Sequence, residues 1–280
     1  MTLTISGIED NAIEEQLNAY LVIPEGTEFD DSNFLKSLTK KATEAMQAIG
    51  YYSPQFVFEN KVNGEDVDIK ITVSPGKPVR VSEFVLEISE GAQDETTFKK
   101  MKEAEKMAVG EIFNHGHYET LKSTIINIAQ TQGYFDGRFE RSTVRLDVAT
   151  NSAYIDLHFA SGKRYALGEV YFVGLSLESS IIRHWVTFKP GTPYQSKLVA
   201  NLTNTLLDSG FFSNVRVVPE RAKSIDGVIP VRVELTDTAD NTINFGIGFA
   251  TDSGPRGRIS LDKPKINHFG HSFHSELASS

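Results

Sequence analysis

The 280-residue chain contains no cysteine. That removes disulfide frameworks, thiolate metal sites and thiol nucleophiles, but it leaves the compartment open. Surplus positive charge is also missing: 28 Lys and Arg stand against 37 Asp and Glu, for a net charge of -9. That argues against nucleic acid as a partner, since neutralising phosphates takes a gathered stripe of cationic side chains and the sequence has none. No apolar run approaches the ~18 residues of a membrane-spanning helix. Met1-Thr2-Leu3-Thr4-Ile5 lacks the basic and apolar regions of a secretory signal, so either the chain is cytosolic or its signal has been removed. There is no Walker loop and no Gly-x-Ser-x-Gly elbow. Gly246-x-Gly248 has no third glycine and no helix after it, and reads as strand glycines that permit close packing. Neither catalytic residues nor a cofactor are expected, and nothing in the sequence calls for an enzyme.

What is present is repetition. Length alone suggests about two domains, but Gly50-Tyr51-Tyr52, Gly133-Tyr134-Phe135 and Gly210-Phe211-Phe212 recur at roughly 80 residues, a domain-sized period. Each follows an amphipathic helical pattern. The first is carried by Phe34, Leu35, Leu38, Ala42, Ala45, Met46 and Ile49, the second by Leu121, Ile125, Ile128 and Gln132, and the third by Leu198, Leu202 and Leu206. Asp30, Asp31 and Ser32 offer the first helix an N-cap. Gly50, Gly133 and Gly210 read as helix stops, because the residue after a helix often takes a left-handed conformation while the next apolar side chain packs back on the last turn. A related loop opens each helix: Gly26-Thr27-Glu28-Phe29, Gly110-Glu111-Ile112-Phe113 and Gly191-Thr192-Pro193-Tyr194.

Each copy closes on a strand of period two: Val67, Ile69, Ile71, Val73; Ile155, Leu157, Phe159; and Ile229, Val231, Val233, Leu235. One apolar face and one charged face predict a sheet covered on one side by helices. Short strands over 3–5, 84–88 and 170–173 precede a first helix, carried by Ile13, Leu17 and Leu21 in copy one and by Ile181, Ile182 and Trp185 in copy three. The order is β-α-α-β-β, an α+β class of three tandem two-layer sandwiches, each with a three-stranded mixed sheet. With first and last strands adjacent and parallel, the middle strand (55–62 in copy one) becomes an edge. The expected domains are 1–75, 76–162 and 163–238, joined by the short linkers Ser74-Pro75-Gly76-Lys77-Pro78 and Ala160-Ser161-Gly162-Lys163-Arg164, which favour a semi-rigid rod.

Residues 239–280 differ. Ile243, Phe245, Ile247 and Phe249 alternate with Asn244, Gly246, Gly248 and Ala250, as in a transmembrane barrel strand. A turn is expected at Asp252-Ser253-Gly254-Pro255, then alternating runs over 258–262 and 271–277. Three strands cannot close a barrel, and an open sheet edge is not viable in lipid, so this segment reads as the beginning of a barrel cut short. A soluble hairpin packed on the last module is the other reading. His268, His271 and His274, and His115 with His117, are the only groupings that invite a metal; neither has a carboxylate pattern of known type, and the reading preferred is lumen and loop histidines with no metal.

These residues resemble the outer-membrane assembly (Omp85/BamA) superfamily, whose members carry polypeptide-transport-associated (POTRA) domains of β-α-α-β-β order ahead of a C-terminal barrel. The resemblance rests on Ser6-Gly7 and Val173-Gly174 at first-strand ends, and on Asp208-Ser209-Gly210-Phe211-Phe212-Ser213-Asn214-Val215-Arg216-Val217 at a helix-to-strand junction. Phe245-Gly246-Ile247-Gly248-Phe249, Gly254-Pro255-Arg256-Gly257, Lys263-Pro264 and Asn267-His268-Phe269-Gly270-His271 are similar to the barrel start in the TamA branch, the outer-membrane subunits of the translocation and assembly module. In copy two, Leu86-Glu87-Ile88-Ser89-Glu90-Gly91-Ala92 departs from the strand-end pattern.

The resemblance implies an outer-membrane protein of a Gram-negative bacterium with its POTRA domains in the periplasm. It implies docking of TamB, an inner-membrane-anchored partner, at the first module, and handling of unfolded autotransporter-type β-barrel clients. An exposed edge can capture an extended chain by β-augmentation, whose main-chain hydrogen bonds tolerate varied sequences. The candidate protein-binding residues are Phe56 and Phe58, Phe139 and Val144, and Val215 and Val217, on the three middle strands. The alternatives are a two-partner-secretion or BamA-like pore and, further off, a metal-binding protein or enzyme using the histidine trio.

Overall fold

The computed structural model describes residues 2–23, 31–63, 66–89, 91–105, 107–174, 177–239, 241–250 and 254–279. The opening loop of copy one (26–29), its candidate cap Asp30, the side chains of Asp31 and Ser32, Glu90, and residues 252–253 lie outside the described residues.

The first copy runs β1 (Thr2–Ser6), α1 (Asn11–Tyr20), α2 (Asp31–Ala48), β2 (Gln55–Asn63) and β3 (Asp66–Ser74). Its sheet has the order β1-β3-β2, with β1 parallel and β2 antiparallel to β3. The Asp10 carboxylate starts α1 by accepting from the Ala12 N–H at 2.9 Å, satisfying one of the donors a helix start leaves unpaired. Ile13 and Leu17 of α1, with Leu38, Ala42, Ala45 and Met46 of α2, bury against Val67, Ile69, Ile71 and Val73 of β3. Each large aliphatic side chain so buried contributes about 1.5–3 kcal/mol, the main term holding a small module together.

The second copy runs β4 (Arg80–Ile88), α3 (Thr96–Ala104), α4 (His115–Thr131), β5 (Arg138–Asp147) and β6 (Ser152–Ala160), in sheet order β4-β6-β5. β6 alternates without interruption, burying Ala153, Ile155, Leu157 and Phe159. The Glu95 carboxylate caps α3, accepting from Thr97 N at 2.7 Å and Phe98 N at 3.3 Å. The third copy runs β7 (Ala166–Val173), α5 (Ser179–Arg183), β8 (Thr192–Pro193), α6 (Ser196–Asp208), β9 (Phe212–Pro219) and β10 (Val228–Asp237). Its sheet order is β8-β7-β10-β9. The last forty residues form an antiparallel sheet of β11 (Thr242–Ala250), β12 (Gly254–Lys263) and β13 (Phe273–Ser279).

The β-α-α-β-β order and the parallel pairing of first and last strands stand in all three copies. Several details differ from expectation. The third sheet has four strands, because Thr192 and Pro193 of the repeated loop pair with Leu167 and Ala166. The first strands of copies two and three begin well before residues 84 and 170, because the backbone entering from each linker is already paired with β6 or β10. Gly254 and Pro255 belong to β12 rather than to a turn, and His271 precedes β13.

Backbone proximity divides the chain into two compact units, Met1–Ile128 with Gly137–Ala160, and Ala129–Asp136 with Ser161–Ser280. The last turn of α4 and the Gly133 stop thus pack with the third copy's residues.

Candidate functional site

The middle strands β2, β5 and β9 are edges, each pairing with a single neighbour among the described residues. Phe56 stands opposite Val73 and Phe58 opposite Ile71, and both rings pack against the core of the first module. Phe139 faces Phe159 with ring centres 5.2 Å apart, and Val144 faces Ile155. Val215 is buried opposite Leu235, and Val217 packs inward opposite Val233. All six candidate side chains thus serve their own cores, since directly opposed residues share a sheet face. What these strands offer outward is backbone. In β2 the flanking side chains that point away from the core are Gln55, Val57, which is 59% exposed, Glu59 and Lys61; the same alternation in the sequence could have identified them.

The glycine stops do more than end helices. Gly50 has φ +95°, and its carbonyl accepts from Val79 N at 2.8 Å; the Val79 carbonyl in turn accepts from Phe113 N at 2.9 Å. Gly133 repeats the relay at φ +87°: its carbonyl accepts from Tyr165 N at 2.9 Å, and the Tyr165 carbonyl accepts from Tyr194 N at 2.9 Å. The repeated loop thus zips onto the start of the next first strand, with Gly110 N donating to Val81 O and Gly191 N to Leu167 O, both at 2.8 Å. A Cβ at Gly50 would sit 2.4 Å from the Phe113 carbonyl oxygen, and one at Gly133 would sit 2.8 Å from Tyr194 Cβ. Phe135 lies edge-on to Tyr165 and Tyr194, with the Arg221 guanidinium 4.2 Å from its ring centre. The Tyr165 hydroxyl donates to Asp136 at 2.9 Å, and that bond holds its pKa above the ordinary phenol value. Gly210 differs: it is left-handed at φ +75°, but nothing crowds its Cβ position.

Side chains and turns replace the relay beyond Gly210. Its carbonyl accepts from the Thr238 hydroxyl at 3.1 Å. The β12–β13 loop docks on the third copy through Lys265 and Asp237 at 2.5 Å, through His268 O accepting from Glu178 N at 3.1 Å, and through Gly270 beside Phe211 and Leu177.

The terminal sheet is sharply two-faced. Ile243 opposes Leu261, Phe245 opposes Ile259, Ile259 opposes Leu277, and Phe273 opposes Lys263, which places the apolar residues on one face. That face is bare: Phe245 is 75% exposed and Ile247 97%. The other face carries polar pairs. Asn244 donates to Ser260 and Asp262, both at 3.2 Å, Arg258 pairs with Glu276 at 2.7 Å, and His274 with Asp262.

Of the candidate histidines, His271 is hydrogen-bonded to Asn267, His274 to Asp262, and His115 stacks edge-on between Phe113 and Tyr118. The trio does not converge, and no group of three or more His, Asp or Glu suited to a metal occurs among the described residues.

Two family models match the chain. One, described as POTRA domain TamA domain 1, covers residues 2–75; the other, a POTRA model described as surface antigen variable number repeat, covers residues 165–245. Among curated proteins, the outer membrane protein assembly factor BamA of Buchnera aphidicola is 21% identical over 76% of this chain, and that of Neorickettsia risticii is 24% identical over 60%. The chain spans 34% and 22% of the lengths of these relatives. Among solved structures, BamA from Haemophilus ducreyi lacking POTRA domains 1–3 superposes with a TM-score of 0.56 at 16% identity, over 71% of this chain and 37% of the other. These matches identify POTRA domains at residues 2–75 and 165–245 and show homology to the outer-membrane assembly factors BamA; the module between them has the same β-α-α-β-β order, and the partial sheet that follows resembles the start of a barrel.

Proposed function

We propose that the chain is the periplasmic arm and first barrel strands of an outer-membrane assembly or secretion factor of the TamA type. POTRA domains at 1–75, 76–162 and 163–238 dock a TamB-like inner-membrane-anchored protein and pass unfolded, autotransporter-type clients toward a barrel that begins at 239–280. The observation that carries this reading is the bare apolar face of β11–β13, set against a polar opposite face. A sheet that exposes Phe245, Ile247, Phe249 and Leu277 without helices to cover them is suited to lipid, and the polar pairs behind are suited to a lumen. Client capture is assigned to the edges β2, β5 and β9 by β-augmentation, with the backbone supplying affinity while Phe56, Phe58, Phe139, Val144, Val215 and Val217 hold each strand in place from behind.

The test is a pull-down with the C-terminal region of TamB. Binding that disappears when residues 1–75 are removed supports the assignment, and binding that persists overturns docking at the first module. Site-specific photocrosslinking from Val57, Thr143 and Arg216 separates client ranges. Several barrel clients are expected, whereas one dedicated exoprotein would mark a secretion pore instead.

A further inference from the structure

Two neighbouring clefts in the first unit share a lining residue, and none of their lining residues lies on the edge strands. One cleft of about 600 Å³ is walled by Ile13, Ile49, Tyr51, Met107 and Ile112. A second, of about 360 Å³, lies between α3 and α4, over Met101, Ala104 and Leu121. His117 lines both, so the two border one another at the N-terminal half of α4, and together they form a groove. Among the described residues, the formal charges that line it have one sign. Asp10 and Glu111 stand on the first cleft and Glu105 on the second, and neither is lined by Lys or Arg among the described residues.

We propose that this groove seats a cationic amphipathic segment of another polypeptide, with apolar side chains over the Met101, Met107 and Ile112 walls and Lys or Arg beside Glu105, Asp10 and Glu111. Apolar walls supply the area that a laid-in segment buries. The half-buried Met101 thioether adapts to side chains of different shape, so that wall does not demand one sequence. The one-signed rim supplies selectivity, because opposite charges speed encounter and like charges across an interface are penalised. The same carboxylates repel the anionic headgroups that would draw in a membrane surface. Edge capture uses β2, β5 and β9, so this seat stands or falls independently of the function proposed above.

The experiment uses the whole chain and two fluorescein-labelled synthetic peptides: an amphipathic Leu/Lys peptide, and the same peptide with Glu for every Lys. Anisotropy titration is expected to show the Leu/Lys peptide binding at least about tenfold more tightly, as charge selection requires. Ala104→Arg, which fills the exposed wall of the second cleft, and Glu111→Arg, which reverses charge on the first, are each expected to weaken it by about tenfold or more while the melting temperature holds. A photocrosslinker at Ala104 is expected to label the peptide, and one at Val57 is not. Equal binding of the two peptides, unchanged affinity in both variants, or labelling from Val57 without labelling from Ala104 would each overturn the proposal.

Discussion

The module sheets and the terminal sheet share one sequence rule and differ in what covers it. In β3, β6 and β10 every second residue is apolar, and helices bury that face: Ile71, Leu157 and Val233 are fully enclosed. In β11 every second residue is equally apolar, yet Ile247 and Phe249 have no protein over them. Period two therefore fixes which residues share a face, and only the flanking helices decide whether the face is a core or a surface waiting for another solvent. A contiguous bare apolar face of this kind is the exception on a water-facing protein.

The largest expected effect tests that difference directly. Ile71→Ala removes methyl groups from a closed core and is expected to cost about 2–5 kcal/mol. Ile247→Ala, in the absence of detergent, is expected to stay within about 0.5 kcal/mol while reducing partition into dodecylmaltoside micelles. A chain of several modules need not unfold in one step, so both are read by hydrogen exchange of amides in the affected sheet. If Ile247→Ala were as costly as Ile71→Ala, the terminal sheet would have a protein cover and the comparison would break.

The glycine stops sharpen it at the joints. Gly50→Ala places a side chain in a left-handed backbone, which costs about 1–2 kcal/mol, and drives a Cβ to 2.4 Å from the Phe113 carbonyl. Gly210→Ala carries only the backbone cost, since its Cβ would meet nothing within 4 Å. Gly50→Ala is therefore expected to be the more destabilising of the two and to strip protection from the Val79 amide, which donates to the Gly50 carbonyl. Equal losses at both positions would mean that the relay adds nothing beyond conformation.

Much of this was legible in the sequence. The Gly-aromatic-aromatic stops, the helix faces and the alternation of the closing strands all follow from local periodicity; the order of elements makes first and last strands parallel if they are neighbours, and their adjacency is seen only in the fold. The joints were not legible, because the acceptor for Val79 N is a glycine carbonyl from the preceding module and its partner Phe113 lies in a loop; no local pattern links the three. β8 is two residues long, too short to carry a period. Phe56 and Phe58, candidates because they lie on an edge strand, face inward, and their alternation with Val57 and Glu59 already implies that one set must.

A smaller effect distinguishes the second joint from the first. Arg221→Ala removes the guanidinium from the Phe135 ring and from Asp136, which it approaches to 4.0 Å. An exposed cation-π contact contributes about 0.5–1 kcal/mol, so exchange of the Tyr165 amide should quicken modestly while the Val79 amide, in the first joint, is unaffected.

The smallest effect concerns pH on the outer face of the second module. The Asp156 carboxylate accepts from Arg141 at 2.8 Å, and His158 lies 2.8 Å from Asp156 and 3.1 Å from Glu87. The hydrogen bond from Arg141 holds the Asp156 pKa below its ordinary value, against the opposing effect of burial. A carboxyl whose folded pKa lies below its unfolded one stabilises the fold above the unfolded value, about 3.9, and that stabilisation is lost as pH falls through the folded value. Arg141 stays charged throughout and adds no window of its own. Asp156→Asn should thus exchange slightly faster than wild type at the Tyr154 and Leu157 amides at neutral pH, with the two proteins converging as pH falls below about 4. Because the Arg141 side chain is more than half exposed and Asp156 only partly buried, added salt should shrink the difference. A gap that persisted in acid would assign the effect to packing on the sheet rather than to the charge.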